Sequence, residues 1–228
     1  MEAFIEGLIK AIHLIASLDP EVVEITRRSL TISSTSCSLT TAFAIPLGSL
    51  IHFAHFRGKR GLVSVIQTLY SLPTVVVGLL VFVLFSRAGP LGGLHLLFTP
   101  TAMVIGQVIL VMPLMLGLVI SALSGVDKAV PETAVSLGAS RLQMGIITLR
   151  EAKYAVLTAV IMGFGRAFSE VGLAMMAGGN IRGFTRTLTT AISLETSRGD
   201  IELSLALGII LLLVALAINI TVNRLQHR

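Results

Sequence analysis

Two charged side chains, Arg166 and Glu170, stand four residues apart inside an apolar run covering residues 154–178. On an uninterrupted helix that spacing puts them on one face, one turn apart, where they can pair. Charges at membrane depth face a bundle interior or a water-filled cavity. Two roles stay open: a place in or beside a translocation path, and an internal ion pair that holds helices together. An anion would be drawn by Arg166 and repelled by Glu170, so a neutralised pair suits a conduit that must not trap its cargo. Ser169 lies between them.

Other reactive residue types lead nowhere. His52 and His55 are three residues apart but have no third ligand nearby, and they border the basic stretch Arg57, Lys59, Arg60, which fits interfacial snorkelling better than metal binding. Ser36, Ser38 and Ser169 have no His and Asp partners in matching runs. Cys37 is the one cysteine, so no disulfide or zinc framework is available. No G-x-x-x-x-G-K-[ST] phosphate cradle occurs, so ATP hydrolysis by that route would need a separate polypeptide. No cofactor or metal is expected, and the chain reads as a non-enzyme.

The elements carrying these residues are membranous. Of 228 residues, 54% are hydrophobic and 13% charged, about half the charged share of a soluble domain; mean hydropathy is +0.91. Runs at 62–86, 101–124, 154–178 and 201–223 each reach the roughly 20 residues needed to cross a ~30 Å hydrocarbon core. A fifth, at 29–56, is rich in Ser and Thr without charge, which suits a packed interface. Net charge is +5, but the bases sit at membrane borders and form no aromatic-interleaved stripe, which excludes nucleic acid. Residues 3–18 place Glu6, Lys10 and His13 on one helical face and Phe4, Leu8, Ile12 and Ile15 on the other, the pattern of an interfacial helix. Asp19 and Pro20 then cap and start the next helix. The N-terminus does not read as a removable signal. The fold expected is all-α: a polytopic membrane helical bundle of about five transmembrane helices plus an N-terminal interfacial helix. Six spans is the alternative.

With five spans, nine Lys and Arg fall on one side, among them Arg57, Lys59, Arg60, Lys128, Arg141, Arg224 and Arg228, and seven on the other, including Lys10, Arg28, Arg182, Arg186 and Arg198. The dense cluster at 57–60 sets the cytoplasmic side, which then also holds the 127–152 loop and the C-terminus. Pro73 and Pro113 bend spans two and three, as gates or as ordinary transmembrane prolines. Gly78, among other span glycines, allows close helix approach.

The segment Glu132–Ser140, ETAVSLGAS, is a polar, helix-favouring island between two apolar runs. Pro131 suits a helix start and Glu132 the positive end of its dipole. Gly138 interrupts the helix formers, which allows a bend between two short helices or the close approach of another backbone. Ala134, Leu137, Leu142 and Ile146 face either a partner or the chain's own spans. The island is either a plain connector or something for a partner to grip.

This segment resembles the "EAA" loop of ABC-importer permeases: Glu132, Ala134 and Gly138 match, Thr133 replaces an Ala, and Arg150 replaces the Pro near its end. Two further stretches, SLPTVVVG (71–78) followed by FSRAGPLGGL, and RAFSEVGLAMMAGGNIRGFTRTL (166–188), are similar to signatures of the molybdate, tungstate and sulfate permeases, with SEVGLAMMAGGNI closest to the tungstate branch. The resemblance implies one transmembrane permease domain over 1–228 with a coupling helix at about 127–152. In it Glu132, Thr133, Ala134, Gly138, Ala139 and Ser140 would meet a cytoplasmic ABC ATPase present in two copies. Pro73, Thr74, Gly78, Arg166, Ser169 and Glu170 become candidates for the path or for helix packing. It also implies a second permease copy, an extracytoplasmic oxyanion-binding protein, a prokaryotic inner-membrane location, and inward transport of tungstate or, alternatively, molybdate. Two other functions compete with this: an ion-coupled secondary transporter working without an ATPase, and a structural subunit of a membrane enzyme complex.

Overall fold

The computed structural model describes residues 2–226. Met1, His227 and Arg228 lie outside that range, and the side chains of residues 2–4 (Phe4 among them), 221–223 and 225–226 lie outside the described ones. The described chain is all-helical. Helix α1 (Glu2–Ala16) is followed by α2 (Pro20–Phe53), α3 (Lys59–Thr68), α4 (Thr74–Phe85) and α5 (Pro100–Ser124). Then come α6 (Ala129–Ser136), α7 (Arg141–Glu151), α8 (Lys153–Phe168), α9 (Gly172–Gly178), α10 (Leu188–Arg198) and α11 (Ile201–Gln226).

Three helices are long and apolar enough to cross a membrane unaided: α2, α5 and α11 through Ile220. Two further candidates are broken. The 59–85 segment bends by 94° and the 153–178 segment by 60°, so the chain has five crossings if each bent pair counts once. Pro73 explains the first break. It stands outside any helix, at φ −64° and ψ 127°, as the cap of α4. Having no N–H, and forcing its predecessor away from helical angles, it ends one helix and opens the next. Pro113, by contrast, lies inside an uninterrupted α5.

Helix α2 starts well before the apolar run read at 29–56. Asp19 Oδ1 accepts the Glu21 and Val22 N–H groups, both at 3.0 Å, with Pro20 at the first helical position. Its 34 residues extend about 51 Å at 1.5 Å each, more than a bilayer core needs, and the excess carries Glu21, Glu24, Arg27 and Arg28. Its hydroxyls do not unwind it: Ser29 Oγ bonds back to Ile25 O at 2.9 Å and Thr31 Oγ1 to Arg27 O at 2.8 Å.

The contacts divide the chain into two compact units. One comprises residues up to Ser36, Pro73–Gln107, and Gly165 onward. In it α1 packs along α11, α10 against α11, and α4 against α9. The face of α1 that packs is neither stripe read from the sequence: Gly7 and Ala11 are buried, while Leu8, Ile12 and Ile15 point outward. Lys10 reaches Asp200 at 3.5 Å and Glu202 at 3.7 Å. At 15 residues, or about 22 Å, α1 is too short to span. Gly78 lets α4 approach α9 closely; a Cβ there would sit 3.0 Å from Leu173 Cα.

The other unit comprises Cys37–Leu72 and Val108–Phe164. Its core gathers Val119, Leu123, Ala152, Val156 and Ala159, with Phe53 and Ile45 against them. Helices α2, α5 and α8 have residues in both units.

Candidate functional site

The ETAVSLGAS island folds as two short helices joined by two interlocking caps. Asp127 Oδ1 accepts the Ala129 N–H at 2.9 Å and so opens α6. At the other end Ala139 N–H reaches Ala134 O at 3.0 Å and Gly138 N–H reaches Val135 O at 2.9 Å. These are the two bonds of a Schellman motif, which requires a left-handed residue at Gly138 (φ +85°). Ser140 follows at once as the cap of α7, in a capping box with Gln143. Gly138 therefore sets the turn. No backbone approaches it, since a Cβ there would meet nothing within 4 Å.

Within the island Ala134 is buried and Ala139 half-buried; Glu132, Thr133 and Ser140 are exposed. Glu132 lies in the first turn of α6, where its charge favours the helix dipole. Leu137 is 83% exposed and Leu142 74%, with Val135 and Ile146 also outward. An open groove of about 500 Å³ runs beside them, lined by Leu137, Gly138, Gln143, Ile147 and Arg150 among others. The arrangement is an apolar tip on a tightly capped bend. With Arg150 where a Pro would stand, the helix passes almost unbroken into α8: Ala152 N–H bonds Thr148 O at 3.0 Å and Val156 N–H bonds Ala152 O at 2.9 Å.

The second site is the break at 169–171, within the first unit. Here the expected Arg166–Glu170 pair does not form. Helix α8 ends at Phe168, so the two residues are not one turn apart, and among the described residues Arg166 enters no ion pair. Glu170 instead turns inward, 3% exposed, and its Oε1 accepts the Leu173 N–H at 3.0 Å, capping α9. Thr189 Oγ1 donates to Glu170 O at 2.7 Å. Gln107 Nε2 donates to Ala167 O at 3.1 Å, while its Oε1 accepts Ser36 Oγ at 2.7 Å. Side chains from α5 and α10 thus satisfy backbone carbonyls at the break, as irregular backbone inside a membrane demands, and Ser36 of α2 holds Gln107 in place. Arg166 is half-buried and Ser169 exposed, its Oγ on Arg166 O at 3.3 Å. Thr74, the first residue of α4, abuts Gly172.

The third site is the 179–187 loop, which carries the NIRGFTRTL signature. Thr185 ties it down: its Oγ1 donates to Gly178 O at 2.5 Å and accepts the Ile181 N–H at 2.9 Å. Asn180 Nδ2 donates to Thr190 O at 3.3 Å, and Thr187 caps α10. Ser29 Oγ accepts the Leu188 N–H at 2.8 Å and Arg28 Nη1 donates to Arg186 O at 3.2 Å. The loop presents Arg182 and Arg186 to Glu21. That carboxylate pushes the Arg182 pKa above its ordinary value.

Sequence reasoning missed Gln107, Thr189 and Glu21. Gln107 had a signal, as an amide in the otherwise apolar 101–124 run. Glu21 had none, because its partners lie 161 and 165 residues away.

Residues 44–228 match the family of binding-protein-dependent transport system inner membrane components. The chain is 43% identical to the tungstate uptake system permease protein TupB of Peptoclostridium acidaminophilum, over all of both chains. It is 35% identical to TupB of Campylobacter jejuni, over all of this chain and 95% of that one. Identity is 41% to a probable anion ABC transporter permease protein of Haloferax volcanii, over 91% of each. Among solved structures, the inward-facing MetNI methionine ABC transporter superposes with a TM-score of 0.75 at 16% identity, over 92% of this chain and 97% of that one. A bacterial alginate-importing ABC transporter gives 0.75 at 20% identity, over 95% and 82%. These two likenesses speak for the fold. The family match over most of the chain and the full-length relatives identify the chain as a member of the binding-protein-dependent transport system inner membrane component family.

Proposed function

We propose that this chain is the membrane-spanning permease subunit of an ATP-binding-cassette importer that moves an oxyanion, tungstate by preference, into a prokaryotic cell. The observation that carries the reading is the 43% identity, over all of both chains, to a tungstate uptake permease. Molybdate and sulfate permeases are similar at lower identity, which supports the same class of tetrahedral dianion.

In this reading the α6–α7 tip seats in a cleft of a cytoplasmic ATPase, with Glu132, Thr133, Ala134, Gly138, Ala139 and Ser140 forming its bend. Two ATPases serve two permease copies, and an extracytoplasmic protein delivers the ion. The whole chain acts as one permease domain, with the C-terminus cytoplasmic. The nucleotide cycle shifts the balance between two conformations, and the chain supplies the levers. Pro73 and Thr74, Gly78 on the α4–α9 contact, and the break at Arg166, Ser169 and Glu170 are the parts we assign to the path or its walls. Arg166, which forms no ion pair with Glu170, is the cation we assign to attract the ion. An ATPase-free carrier would need several intramembrane acids near the midplane. Glu170 is the one buried carboxylate among the described residues, and it is engaged as a helix cap.

Reconstitution tests this. Proteoliposomes holding the chain, its ATPase and its binding protein should take up tungstate only with ATP. Uptake by the chain alone would overturn the reading.

A further inference from the structure

Two arginines of the 179–187 loop, Arg182 and Arg186, approach Glu21 in the first turn of α2 in the first unit. Glu21 is held as an oxyanion would be. Arg182 donates through Nε at 2.9 Å and Nη2 at 2.5 Å, one to each oxygen, and Arg186 Nη1 adds a contact at 3.4 Å. The fork geometry of a guanidinium fits carboxylate and tetrahedral oxyanions alike. Two cations on one carboxylate leave a surplus of one positive charge at that contact, while the cavity wall as a whole, with Asp19, Glu21 and Glu195 against Arg182, Arg186 and Arg198, is balanced. The Nε of Arg186 is buried and has no hydrogen-bond partner. A planar carboxylate presents two oxygens, whereas a tetrahedral ion presents four out of one plane and can engage a donor that the carboxylate leaves unused.

A cavity of about 410 Å³ opens at this point, lined by Glu21, Arg182, Arg186 and Arg198 among others, where a water takes about 30 Å³. The other acids on its wall are engaged: Asp19 caps α2 and Glu195 pairs with Arg198 at 3.1 Å. Arg28, one turn beyond Glu24 on α2, is paired with that acid. The backbone bearing Arg182 and Arg186 is fixed by Thr185, Asn180 and Ser29, which sets the positions from which the two side chains reach. The Arg182 side chain is 73% exposed and that of Glu21 40%. A pair so exposed is screened and weakly held, and a dianion can displace it.

We propose that Arg182 and Arg186 form a binding site for a tetrahedral oxyanion, occupied at rest by the Glu21 carboxylate. The occupant is either the free dianion or a lipid phosphate; assigning it to the free ion rests on the importer reading above.

The test uses the full chain, purified into phosphatidylcholine nanodiscs, with tungstate binding read by equilibrium dialysis at constant ionic strength. Glu21→Gln should tighten tungstate binding by about tenfold, and adding Arg182→Gln should abolish the gain. A Glu21→Gln chain that binds no better than the unaltered one overturns the site. If that variant does not fold, the unaltered chain decides: tungstate should slow phenylglyoxal modification of Arg182, and absence of protection sinks the proposal equally. Repetition in phosphatidylglycerol separates the sources. Arg182-dependent tungstate binding that persists there assigns the free ion. Its loss, with Arg182-dependent retention of the lipid in native mass spectra, assigns the headgroup. Uptake is measured separately, so the two readings can fail apart. ATP-driven uptake without this binding removes the site and leaves the permease, and binding without uptake does the reverse.

Discussion

Glu170 shows how a residue's type can be legible while its work is not. An acid inside an apolar run announces itself in the sequence. Its partner there is Arg166, but in the fold it is the Leu173 amide, because α8 stops two residues earlier. The two roles predict different mutants. If Glu170 serves as a cap, Glu170→Ala should lower stability by about 1 kcal/mol, read by thermal unfolding of the purified chain. Glu170→Gln, which keeps an acceptor, should lose clearly less. Equal losses would restore a role for the charge. Gln107→Leu removes the side-chain donor from the Ala167 carbonyl and should likewise cost about 1 kcal/mol, and a variant as stable as the original would exclude the clamp. Neither Ala167 nor Thr189 could have been named beforehand, since both act through contacts fixed only when α2, α5 and α10 gather round the break.

At the scale of elements, the lever owes its shape to local chemistry that the sequence does carry. A glycine after a run of helix formers, then Ser140 three residues before Gln143, encodes a Schellman end followed by a capping box. Val at position 138 would be forced into a left-handed conformation costing about 1–2 kcal/mol. Gly138→Val should therefore weaken ATPase association in pull-downs while the membrane part stays folded. Undiminished association would mean the bend is not what the partner reads. Helix boundaries were less readable. The apolar runs at 62–86 and 154–178 look continuous, yet one breaks at Pro73 and the other at Ser169–Val171. Proline flags the first. The second has no breaker and depends on side-chain acceptors and donors supplied by other helices. The early start of α2 at Pro20 escaped a reading based on hydropathy, because its first two turns are charged.

For the whole molecule, the all-helical membrane architecture followed from composition and run lengths, and the family from three short signatures in order. What holds the signature loop to α2 did not, because it joins residues more than 150 positions apart. The lever lies in one compact unit and the broken span's cap in the other, and α2, α5 and α8 are the continuous helices with residues in both. Movement imposed on α7 enters α8 without an intervening proline. In the importer reading we propose, that movement begins at the exposed tip, which contributes little to folding: Leu137 and Leu142 touch mostly solvent, so replacing them should change stability by no more than about 0.5 kcal/mol.

ATP-driven tungstate uptake by proteoliposomes carrying the Leu137→Glu, Leu142→Glu chain with its ATPase and binding protein tests the lever most directly. The account predicts a folded, normally inserted chain whose uptake falls to the ATP-free background. Uptake at the unaltered rate would contradict it.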